Sequence, residues 1–82
     1  MPAESKRISL TEMRAGEQAA ILAFQGGYGL ISRLTSLGFT PGAQVTMTQN
    51  YGHGALIVMV RGTRVALGRG EAQKIIVQRS GE

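Results

Sequence analysis

Apolar and polar positions alternate with a two-residue rhythm in several short segments of this chain, and glycines mark most of the joints between them. Glu17 to Phe24 is the first such segment. In Ala43 to Gln49, Val45 and Met47 share one face while Thr46 and Thr48 share the other. Ala55 to Arg61 is a near-continuous apolar run, the pattern of a strand covered on both faces. Thr63 to Leu67 and Lys74 to Arg79 bring the strand-length runs to five, and Arg61-Gly62-Thr63 reads as a tight hairpin connection. Short strands with glycine-rich joints predict a mostly β protein, a small barrel or sandwich.

One segment departs from this rhythm. From residue 30 the apolar residues fall at Leu30, Ile31, Leu34 and Leu37, which is helical spacing over two turns. Gly38 stands where a left-handed C-terminal cap belongs, and Pro41-Gly42 suits a type II turn. Leu34 and Leu37 are predicted to face the strands. Leu30 and Ile31 point about 100° apart on an ideal helix, which leaves room for one of them to face solvent. A helix this short must dock on the strands to exist at all. Ser9-x-x-Glu12 has capping-box spacing and predicts a single helical turn ended by Gly16. Residues 1–7 and 80–82 have little to bury and read as disordered tails around one domain at 8–79.

Composition narrows the options. Eighty-two residues, 43% hydrophobic and 17% charged, fit one globular domain with a thin core. The absence of cysteine excludes disulfides, thiolate metal sites and cysteine nucleophiles. No apolar run approaches the roughly 20 residues that span a bilayer, and the opening residues lack the apolar run of a signal peptide. A cytoplasmic location is therefore expected. The net charge of +4 favours an anionic partner surface.

Enzyme chemistry lacks its parts. With no aspartate and one histidine, a Ser-His-Asp arrangement cannot be assembled. Gly26-Gly27-Tyr28-Gly29 leads into the helix but lacks the Lys-Ser/Thr ending of a phosphate loop, so it reads as a sharp strand-to-helix turn. No cofactor is expected. Transition metals want three or four His, Cys or carboxylate ligands, and here His53 stands alone in a glycine-flanked loop. A metal site would need His53 from each of two chains. Arg61, Arg64 and Arg69 cluster around one hairpin and form a candidate basic patch. The aromatics number four, Phe24, Tyr28, Phe39 and Tyr51, and two are wanted in the core. That is a poor stacking platform for single-stranded nucleic acid, which is not expected as a partner.

The string Arg33-Leu34-x-x-Leu37-Gly38-x-x-Pro41-Gly42 resembles the hallmark of the FeoA family. Leu10 followed by Ala15-Gly16-Glu17 is similar to the family's opening, and Val65-Ala66-Leu67, Glu71-Ala72 and Ile75-x-Val77 to its close. The likeness runs in order over about residues 8 to 78. It implies an SH3-like β-barrel of about five strands with the helix inserted after the first. It also implies a small accessory of the membrane ferrous-iron transporter FeoB, whose cytosolic GTPase domain would be the partner, so that membrane association is indirect. Similar domains end the DtxR-type repressors, but this sequence has no DNA-reading helix-turn-helix.

Residues and resemblance thus converge on a docking module with no metal constellation of its own. Tyr28, Leu30, Ile31 and Arg33 form the candidate docking patch, since Tyr and Arg are favoured interface anchors. The competing role for Arg33 is to tie the helix to strand carbonyls, to Glu17 or to Glu71. Leu34, Leu37, Gly38, Pro41 and Gly42 are assigned to architecture. Monomer and homodimer remain equally open.

Overall fold

The computed structural model describes residues 7–79. Residues 1–6 and 80–82, read above as tails, lie outside that range, whereas Arg7 opens the first strand. In chain order the elements are β1 (Arg7–Ser9), a 3-10 turn (Leu10–Glu12), β2 (Gln18–Phe24), α1 (Tyr28–Ser36), β3 (Gln44–Gln49), β4 (Leu56–Val60), β5 (Thr63–Leu67), α2 (Arg69–Ala72) and β6 (Ile75–Arg79). The strands make one antiparallel sheet in the order β1-β6-β2-β3-β4-β5. The mostly β expectation holds. The strand count rises to six, and α1 follows the second strand instead of the first. "Barrel" applies loosely, because the sheet is not closed by pairing between β1 and β5.

Curvature comes from two irregularities. The β2–β6 register slips between Ile21 and Ala23, and the β3–β4 register between Met47 and Gln49. An extra residue in one strand bends it and increases its twist, which lets a single sheet wrap a core. Alternation then sorts the side chains. Val45 and Met47 of β3, Leu56, Val58 and Val60 of β4, and Ile75 and Val77 of β6 are all buried. The apolar run of β4 is covered on one face only, because Ile57 and Met59 on the other face remain half-exposed.

Ser9 caps the 3-10 turn as its spacing predicts: its hydroxyl accepts from the Thr11 N–H, and the Glu12 carboxylate accepts from the Ser9 N–H. The turn stops at Met13, before Gly16, and seals one end of the core with buried Leu10 and Met13.

Helix α1 ends in a complete Schellman motif. Phe39 N–H donates to the Leu34 carbonyl at 3.0 Å, and Gly38 N–H donates to the Thr35 carbonyl at 3.0 Å. Gly38 supplies the reversal with φ +102°. Leu37 therefore sits at the cap and is 38% exposed, which corrects its predicted core position. The chain turns before the next helical step, and Phe39 takes the buried place beside Leu34. The Thr40–Ala43 turn follows, closed by Ala43 N–H on the Thr40 carbonyl at 2.9 Å, with Gly42 at φ +89° as a type II turn requires.

A methyl group at Gly38 would meet Arg61 Cδ at 3.3 Å in addition to the adverse backbone angle. Gly38→Ala is expected to cost about 2 kcal/mol, near 10 °C in melting temperature. Thermal unfolding followed by circular dichroism checks this, and an unchanged midpoint would refute the role given to the cap.

Candidate functional site

Helix α1 lies largely exposed on the sheet, and four attachments set its pose. Leu34, its one fully buried residue, enters the core, and Leu30 packs against the core's rim. Arg33 forms an ion pair with Glu71 of α2. At the far end, Arg61 Nε donates to the Gly38 carbonyl at 3.3 Å and Arg61 Nη2 to Thr40 Oγ1 at 2.9 Å. The helix entry is fixed by Gly26, where an added Cβ would lie 2.8 Å from Leu30 Cδ2. The glycines there serve the strand-to-helix turn.

These attachments divide the predicted docking patch. Tyr28 and Ile31, three residues apart, border a shallow depression on the outer face with Ser32, Thr35 and Ser36. Tyr28 is 88% exposed. Leu30 and Arg33 belong to the opposite flank, toward α2, where Leu30 faces a groove completed by Gly70, Glu71 and Lys74. Arg33 thus takes its competing role as a tie to Glu71. Arg33 is exposed and Glu71 partly so, and solvent screening limits the pair to about 1 kcal/mol at most. The chemistry on the outer face is that of an apolar anchor ringed by hydroxyls, suited to contact with a protein.

The three arginines of the predicted basic patch are strung along β5. Arg61 precedes the strand, Arg64 lies within it and Arg69 opens α2 beyond its end. Arg61 and Arg69 therefore stand roughly 17 Å or more apart. Arg69 Nη2 donates to Asn50 Oδ1. His53 is exposed in the loop between β3 and β4, and among the described residues no group of three or more His, Cys, Asp or Glu could hold a metal ion.

Two polar hubs escaped the sequence reading. Asn50 Nδ2 donates to the carbonyls of Thr11 (3.1 Å) and Met13 (2.7 Å), and its Oδ1 accepts from Gly52 N–H at 3.0 Å as well as from Arg69. Glu17 Oε1 accepts from Arg14 N–H at 2.7 Å and from Arg79 Nη2 at 3.2 Å. The Arg14 amide, and after it the Arg79 charge, outweigh burial and hold the Glu17 carboxyl below its ordinary value. Arg79 Nη2 also reaches the Glu12 carbonyl, so the hub binds the 3-10 segment to β6. A loop asparagine and a strand-end arginine carry no local pattern that announces such a role. Among the described residues, no helix is long and apolar enough to cross a membrane.

Comparison with known proteins adds an independent line. The model of the FeoA domain matches residues 8–79. The candidate Fe(2+) transport protein A of Methanocaldococcus jannaschii is 32% identical over 65 residues, covering 79% of this chain and 78% of that one. The crystal structure of an iron uptake regulatory protein, FeoA, superposes with a TM-score of 0.87 at 31% identity, covering 92% of this chain and all of that one. The zinc complex of Stenotrophomonas maltophilia FeoA, described as a prokaryotic SH3 domain protein, gives a TM-score of 0.76 at 28% identity over 92% of this chain and 99% of that one.

Proposed function

This chain belongs to the FeoA domain family, and from that premise we propose that it docks on the cytosolic GTPase domain of an FeoB-type ferrous-iron transporter. It does so as a non-enzymatic accessory, through the outer face of α1. Iron is the transporter's cargo, and the module acts on its passage by protein contact alone. Association with the membrane is then indirect, through the transporter.

The observation that carries this reading is Tyr28, a large aromatic ring left 88% exposed on a helix whose pose is fixed from several sides. A rigid ring loses little conformational freedom on binding, and a partner that covers it gains the burial the monomer does not provide. Ile31 extends the same stripe, while Ser32 and Thr35 offer a polar rim.

Titrating the isotope-labelled protein with the soluble GTPase domain from the same organism tests this. Amide shifts are expected to centre on residues 28–36. Tyr28→Ala should weaken binding at least tenfold, about 1.4 kcal/mol, while the melting temperature stays within a degree or two. Full affinity in the folded variant would remove this face from the interface.

A further inference from the structure

Strand β5 pairs with β4 on one side, and among the described residues nothing pairs with its other side. The two-residue loop Arg61–Gly62, with φ +50° and +78°, sets the phase of the ladder. The closing pair Val60–Thr63 exchanges both hydrogen bonds, and alternation assigns the same to Val58–Val65 and Leu56–Leu67. The backbone N–H and C=O groups of Arg64 and Ala66 therefore point away from β4 to the open edge. Both residues are exposed. Unpaired ladder groups on an accessible edge are a template for another strand.

The charge along this edge is of one sign. Arg61 is bound to the Gly38 carbonyl and the Thr40 hydroxyl, and Arg69 to the Asn50 amide oxygen. Those acceptors are neutral, so both guanidinium charges remain uncompensated, and Arg64 adds a third. The carboxylates of the described residues are engaged elsewhere: Glu71 with Arg33, Glu17 with Arg79, and Glu12 with the Ser9 amide.

A charge within an edge strand usually discourages pairing. Here it discriminates. A second copy laid antiparallel on β5 would bring three arginines against three, and like charges facing across strands are destabilising. An acidic segment meets attraction at the same positions. Single-stranded nucleic acid matches the charge but has no use for the ladder groups of Arg64 and Ala66. We propose that the open edge of β5 takes up an extended acidic segment of a partner protein as an added strand, with Arg64 facing its carboxylates and the charges of Arg61 and Arg69 flanking its two ends. This surface is separate from the outer face of α1, and the proposal stands whatever α1 binds.

The test uses the full chain, isotope-labelled, and an eight-residue peptide of alternating glutamate and valine at up to millimolar concentration. A control peptide of the same sequence is N-methylated at every residue, which removes its ladder donors and keeps its charge. Expected are amide shifts at Arg64 and Ala66, slowed hydrogen exchange of those two amides, and at least tenfold weaker binding of the control. Arg64→Glu should weaken binding about tenfold without lowering the melting temperature. Equal binding of the two peptides would reduce the edge to a charged surface and overturn the proposal. So would shifts that avoid β5, saturation of the same amides by an oligothymidine but not by the peptide, or peptide-independent dimerisation through β5.

Discussion

Phe39→Ala is expected to lower stability by about 4 kcal/mol and the melting temperature by roughly 15–30 °C. Phe39 is among the largest of the fully buried side chains. It also holds a covalent position that no neighbour can fill: it follows the Gly38 reversal, and its N–H closes the last turn of α1 on Leu34. Removing the ring opens a cavity beneath the helix and leaves the cap with no apolar contact to seat it. For a domain whose total stability is about 4–12 kcal/mol, that is a large share. Leu37→Ala is the matched comparison. Leu37 is two residues away and is 38% exposed, so its truncation should cost less than about 1 kcal/mol. Denaturant or thermal unfolding of the pair decides it, and equal losses would place the helix end elsewhere.

The same two residues show where pattern stops informing. Spacing of three assigns Leu37 to the core face of α1, and that holds only while the helix continues. The glycine that ends the helix was legible, but not its effect of passing the buried place to Phe39. Strand β1 has three residues and no alternation of its own, and it exists because β6 offers it Gln78, Val77 and Ile76 as partners. Helix α2 is a single turn, Arg69–Ala72, too short to show a period of its own; Glu71 was one of several partners open to Arg33, and only the fold, bringing the two together across thirty-eight residues, selects it. By contrast the five longer strands, the capping box and the Arg61–Gly62 hairpin are local features, set by neighbours in sequence, and these were readable. The candidate patch is one that sequence could not divide. Tyr28, Leu30, Ile31 and Arg33 lie close together in sequence but fall on two flanks of one helix, and the choice of exposed flank depends on what the other is tied to.

Asn50→Ala is expected to cost about 3 kcal/mol, well beyond the usual loop substitution. All four of its hydrogen bonds have the right polarity in one orientation only, with the amide group on the Thr11 and Met13 carbonyls and the oxygen toward Gly52 N–H and Arg69. Truncation strips partners from two part-buried carbonyls and from a guanidinium whose Nε is already buried without one. Asn50→Asp separates the two halves of the hub. It keeps the acceptor for Arg69 but turns a carboxylate oxygen toward two carbonyls, so it should also destabilise, despite adding an opposite charge. Faster hydrogen exchange at Met13 would accompany the loss in both variants, and at Gly52 in Asn50→Ala only, since Asn50→Asp keeps its acceptor. Wild-type melting in Asn50→Ala would mean that water replaces the side chain fully.

The sheet order has a consequence for how the protein is made. Strand β6, the last of the described strands, lies between β1 and β2, the first two. Until it is in place, β1 has nothing to pair with, β2 is an edge, and Ile75 and Val77 are missing from the core. A chain emerging from the ribosome therefore cannot complete its fold progressively. It must wait, holding β2, β3 and the hairpin in reserve, and then close around residues 75–79 in one late step. Such long-range closure places folding toward the slow end of the range for domains this small, on the order of milliseconds to seconds. The nascent, half-made chain is then the stage at which this protein is most exposed to misassociation and to chaperones.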